Sequence, residues 1–198
     1  MLSLDTLRKD TLKKGLSNKI TTKILVMSYD WLTSEPSPKI LVTAVKHIGV
    51  TEFVGKANNP IIIQWAQYTQ LNAYYTNDDI PWCGLFIAYC CRINNLEVVR
   101  LPLWALSWSN WGTSVSTAML GDVLVFKRNG GGHVGIYVGE DKDCYHVLGG
   151  NQGDKVCVVR INKNRLHAAR RTRWRIAQPS NVRQVFLSQE GRVSTNEQ

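Results

Sequence analysis

Residues 121–139, GDVLVFKRNGGGHVGIYVG, are where the hydrophobic period of this chain changes. Upstream, apolar residues recur at three- and four-residue steps; from Asp122 onward they alternate at a step of two. Asp122–Phe126, His133–Gly139, Cys144–Leu148 and Lys155–Ile161 read as short strands separated by glycine-rich or acidic turns. On the upstream side, Ile40, Leu41, Ala44, Val45 and Ile48 define one helix that stops at Gly49. A second fits 59–71, where Asn59-Pro60 places proline in the first turn. A third starts near Cys83 and runs to about Asn94, and a fourth fits 102–111. Helices first and antiparallel strands afterwards predict an α+β domain.

The 198 residues suffice for one domain with an extension. Residues 1–38 form that extension: Leu4, Leu7 and Leu12 share a helical face, and Glu35-Pro36-Ser37-Pro38 then breaks regular structure. The domain itself is expected over 39–178, followed by a polar tail, 179–198, that frays. No apolar run has the length of a signal peptide or a membrane span, so the chain is expected in a cytoplasm or a particle. Five cysteines without a CxxC pair predict reduced thiols. A net charge of +9 implies attraction to polyanions. Seven Lys/Arg and no acidic residue between Arg160 and Arg175 read as a solvated basic surface. Neither a helix-turn-helix signature, zinc spacing nor an aromatic-basic RNA motif accompanies them, so no specific nucleic acid is expected.

Two short motifs carry chemistry. In PWCGLFIAYC, Cys83 follows Pro81 and Trp82 at the point where a helix should begin. Unpaired N–H groups there favour a thiolate, which is the nucleophilic form. Cys90 and Cys91 fall inside that helix and Cys144 and Cys157 fall in strands, so none of them shares the placement. In NGGGH, three glycines clear the approach to His133 at the head of a strand. The glycine run lacks the lysine and hydroxyl residue of a phosphate loop, and it precedes a strand rather than a helix. An imidazole base usually needs a third polar group to hold its tautomer. Asn151, in LGGNQ, is the first choice because its short amide adds little freedom, and Gln152 is the alternative. The backbone N–H of Cys83 is the natural oxyanion donor. Tyr75 or Asn77 could supply a second, and Asp78 and Asp79 could recognise a substrate amine. Trp104, Trp108 and Trp111 form a stripe that reads as core, whereas Trp82 has the better claim to line a groove.

The order cysteine, histidine, asparagine resembles papain-like cysteine hydrolases. The segments NNPIIIQWA, DDIPWCGLFIAYC, SWSNWG, GDVLVFKRNGGGHVGIYVGED, YHVLGGNQGD and RLHAARR together resemble the NlpC-type and CHAP-type cell-wall branch, of the kind found in tailed phages and prophages. The resemblance covers roughly residues 45–175. It implies a papain-like fold, helices packed on a central antiparallel sheet. It further implies cleavage of an amide bond in bacterial peptidoglycan, without metal or cofactor, by a phage endolysin or a virion-associated lysin. Cys83 and His133 map onto the family's nucleophile and base. The third position varies in the family, so Asn151 carries over less directly. Residues 1–38 match no wall-binding module and could instead dock to phage structural proteins, and the basic 160–175 stretch could attract anionic wall polymers. A catalytically silent structural or adhesion component on the same fold is the alternative.

Overall fold

The fold is described from a computed structural model that covers residues 29–55, 57–174, 177–190, 192–195 and 197. The leucine face at Leu4, Leu7 and Leu12 lies outside the described residues. The chain divides into two units, Met1–Glu35 and Pro36–Gln198, at the break expected from the two prolines. In the first unit the described residues include a 3-10 turn, Asp30–Thr33.

In the second unit helices come first: α1 (Lys39–Val45), α2 (Pro60–Tyr68) and α3 (Cys83–Ile93). The Asn59 side chain caps α2 by accepting from the Ile61 N–H, and Pro60 occupies the first helical position, where no N–H is needed. The predicted helix over 102–111 is instead a 3-10 segment, Ala105–Asn110. The hydroxyls of Ser107 and Ser109 bond nearby carbonyls (Leu101, Trp104 and Leu106), competing with α-helical pairing. Trp108 and Trp111 are buried and donate to the Pro102 and Glu97 carbonyls, but Trp104 is 59% exposed, so the tryptophans do not form one core stripe.

Among the described residues seven strands follow: β1 (Thr113–Ser114), β2 (Val123–Arg128), β3 (Gly131–Glu140), β4 (Cys144–Gly149), β5 (Cys157–Asn162), β6 (Leu166–Arg171) and β7 (Val193–Ser194). They form one sheet in the order β1-β6-β2-β3-β4-β5-β7, antiparallel except for the β5–β7 pair. Strands β2 to β5 match the expected ones to within a few residues. The segment RLHAARR, expected as part of a basic surface, is β6.

The connection from β5 to β6 is only Lys163–Arg165. In the sheet order those strands stand four strand spacings apart, about 19 Å if the sheet were flat. Three residues cannot comfortably span that distance, at roughly 3.5 Å each. The sheet therefore curls. The Lys163 N–H reaches the Asp143 carbonyl at 3.0 Å, and Arg165 Nε reaches the Lys127 carbonyl at 3.2 Å, so the link crosses from the β3–β4 turn to β2. Leu124, Phe126, Tyr137, Val147, Ile161 and Ala169 fill the inside of the curl. On the other side α3 packs on β3 and β4, with α1 and α2 against it.

The basic stretch stitches this curl together. Arg160 bonds Asp141 at 2.8 Å, Lys163 bonds Glu140 at 2.6 Å, Arg165 bonds Glu197 at 2.8 Å and Arg171 bonds Asp122 at 2.8 Å. Arg170 is committed to the Trp111 and Gly112 carbonyls. These five side chains form a seam of ion pairs and carbonyl contacts, whereas Arg173 is exposed and Arg175 lies outside the described residues. The region from 179 onward also departs from the expected fraying: Val182 and Glu197 are buried, Val193 and Ser194 pair with β5, and Leu187 bonds the Glu140 carbonyl.

The start of α3 is held by close contact. A side chain at Gly84 would overlap the Pro102 carbonyl oxygen, which is backbone and cannot swing aside. Gly84→Ala should therefore cost about 1–3 kcal/mol of stability, read as a lower urea midpoint. An unchanged midpoint would contradict this packing.

Candidate active site

Cys83 is the first residue of α3, and Trp82 before it supplies no side-chain cap. The first-turn N–H groups are thus available to an anion. The sulfur meets β3 at Val134, the residue after His133, so the helix start and the strand start are brought together. Both side chains are buried, Cys83 at 6% exposure and His133 at 2%. Among the described residues no hydrogen bond joins the thiol to the imidazole.

His133 Nε2 lies 2.9 Å from Gln152 Oε1. The Gln152 amide nitrogen donates to the Val147 and Cys157 carbonyls, which fixes which end of the amide is oxygen. Oε1 can only accept, so Nε2 must carry the ring proton and Nδ1 keeps the lone pair. This tautomer leaves Nδ1 able to take a proton. Gly149 makes room for the pair: a Cβ there would stand 3.0 Å from Gln152 Oε1 and 3.3 Å from His133 Nε2.

The ring partner is therefore Gln152, where the sequence favoured Asn151. Asn151 is buried beside it in the left-handed region (φ 55°), a conformation asparagine tolerates better than most residues. It bonds neither Cys83 nor His133. The sequence chemistry of two adjacent amides could not separate them; the turn geometry does.

Other expected residues fall elsewhere. Trp82 is fully buried against Trp65 and donates to Glu52 at 2.8 Å, so it is core rather than groove wall. Tyr75 is buried too, its hydroxyl without a partner among the described residues and its acidity suppressed by burial and by the charges of Asp78, Glu52 and Asp79. Asp78 accepts from the Phe53 and Asn59 N–H groups and holds that loop. Asn77 is half-buried and Asp79 exposed, and neither bonds Cys83, His133 or Gln152. His146 belongs to a separate buried network with Asp141 and Arg160. All five thiols are free.

Burial dominates the electrostatics. It pushes the Cys83 thiol up, against the opposing pull of the Val134 and Gly84 N–H groups and the Arg128 charge. It pulls His133 down to about 4, although the Glu197 carboxylate and the Gln152 bond act the other way. The resting pair is a neutral thiol beside a neutral imidazole. Glu197 is a residue the sequence offered no signal for. Its carboxyl, which burial alone would raise, is held below the usual range by the Arg165 fork and by the adjacent His133.

No family model matches the chain, and no curated protein matches its sequence. No group of three or more His, Cys, Asp or Glu is placed to hold a metal among the described residues. No helix among them is long and apolar enough to cross a membrane.

The His133 shift has a consequence for stability. Its folded value lies below the ordinary 6.5, so between about 6.5 and 4 the unfolded chain binds a proton that the folded one refuses. Stability should fall as pH drops through that window, by on the order of 3 kcal/mol for this group. Urea midpoints of wild type and His133→Gln, followed from pH 7 to 4, should converge as the wild type loses the extra increment. Parallel curves would refute a buried neutral imidazole.

Proposed function

We propose that the chain is a papain-like cysteine hydrolase of the NlpC/CHAP kind that cleaves an amide bond in bacterial peptidoglycan, acting as a phage endolysin or virion-associated lysin. One observation carries the chemistry: a cysteine at a helix start set against a strand start whose histidine has its tautomer fixed by Gln152. The helix-then-sheet order and the motif resemblance support the fold and the substrate class.

In this reading Nδ1 of His133 takes the Cys83 proton as the sulfur attacks the amide carbonyl. The first-turn N–H groups of α3 receive the oxyanion. Collapse expels the amine, which leaves with the proton from His133, and a thioester remains. Water then gives a proton to Nδ1 and its oxygen to the acyl carbon, releasing a carboxylic acid and restoring the thiol. Gln152 donates nothing to the reaction; it positions the ring. The ion-paired seam takes up most of the basic stretch, so attraction to wall polymers rests on the net charge of the chain as a whole.

The silent structural component remains as a second reading, favoured by the burial and neutrality of the pair. Zymography on purified walls decides between them. Clearing by the wild type should vanish in Cys83→Ala, and Gln152→Ala should lose up to about a hundredfold because the ring is no longer oriented. Asn151→Ala should lose far less. Equal clearing by Cys83→Ala would end the hydrolase reading.

A further inference from the structure

Glu197 stands out among the acidic residues. It is 2% exposed, although it follows a polar run that offers no apolar reason for burial. Its two carboxylate oxygens are taken by Arg165 Nη1 and Nη2, each at 2.8 Å, in a two-pronged fork. Its carbonyl accepts from the Gly153 N–H at 3.2 Å, one residue from the Gln152 that holds His133. Arg165 is itself anchored on the Lys127 carbonyl, and Lys127 pairs with Gly132, the neighbour of His133. Nη1 of Arg165 also bonds the Ser194 carbonyl, so the segment is tied at two points. The carboxylate is close enough to His133 to raise its proton affinity.

We propose that Arg165 is a carboxylate-binding residue at the edge of the Cys83–His133 site, and that Glu197 fills it as an internal ligand. The ligand class is a peptide carboxylate, the group Glu197 already presents. While Glu197 is seated, the guanidinium is neutralised by its carboxylate. When Glu197 leaves, an uncompensated cation near His133 attracts an anionic substrate group in its place. This rests on the assignment of Cys83 and His133 as the reacting pair.

The test uses the reagents iodoacetate and iodoacetamide, which differ only in a carboxylate against an amide. Alkylation of Cys83 in the full chain is followed by mass spectrometry of its peptide. Emptying the seat in Glu197→Ala should raise the iodoacetate-to-iodoacetamide rate ratio by about fivefold or more. The Gly153 amide should exchange faster as well. Arg165→Ala combined with Glu197→Ala should return the ratio to the wild-type value. A ratio unchanged in the single variant, or a gain that persists without Arg165, overturns the proposal. Cys90 and Cys91 are fully buried and report unfolding by reacting; should they do so, Glu197→Gln replaces the alanine variant with the same expectations. Wall clearing is scored separately. A ratio shift without clearing leaves the carboxylate site standing and removes the hydrolase reading; clearing without a ratio shift does the reverse.

Discussion

The short link between β5 and β6 is the constraint on which the remaining geometry depends. Three residues join strands that a flat sheet would hold far apart, so the sheet must curl, and the inside of the curl becomes an apolar core. Curling also determines where charge can go. Lys163 and Arg165 sit on the link itself, and each finds a carboxylate brought in from elsewhere: Glu140 at the end of β3 and Glu197 beyond β7. Without the curl, Arg165 would not stand next to Lys127, and the Glu197 carboxylate would lose the guanidinium fork that holds it. The ion pairs here differ from ordinary surface pairs because one partner in each is nearly or fully buried, where breaking a pair leaves an uncompensated charge.

A second constraint operates at the helix start. Gly84 lets α3 approach the Pro102 backbone, and Gly149 leaves room for the His133–Gln152 pair. The result is a site assembled from backbone contacts, with little adjustable side-chain volume. Burial of both side chains follows from the same packing. A buried imidazole bonded to a neutral amide is most stable uncharged, and a buried thiol likewise, which explains why the two groups rest uncharged. In the proposed hydrolase, such a pair would become reactive by gaining access and alignment, not by being ionised beforehand.

Much of this was legible in the sequence, for reasons that separate cleanly. Helices α1 to α3 and strands β2 to β5 have their own apolar periods and their own stop signals, such as Gly49, Asn59-Pro60 and the glycine run before His133. Cys83 was legible because a helix start is a local property. Strand β6 was not, since RLHAARR has little apolar alternation and becomes a strand only because β2 offers it an edge. The segment at 102–111 carried a helical tryptophan spacing, but its serine hydroxyls competed for the backbone. Strand β7 spans two residues and exists only through its pairing with β5.

The choice between Asn151 and Gln152 shows where local reasoning ends. Asparagine is the better residue for the left-handed turn position, and that backbone demand is why it occupies 151. Once the turn is made, the next side chain, not the turn residue's own, points back along β4 toward the Val147 carbonyl and the His133 ring. Gln152 also has the extra methylene needed to donate to two carbonyls while its oxygen accepts from the imidazole. Its length, which in isolation suggests looseness, is cancelled by those two donated bonds. An orienting residue is therefore better recognised by how its other hydrogen bonds are committed than by how short its side chain is.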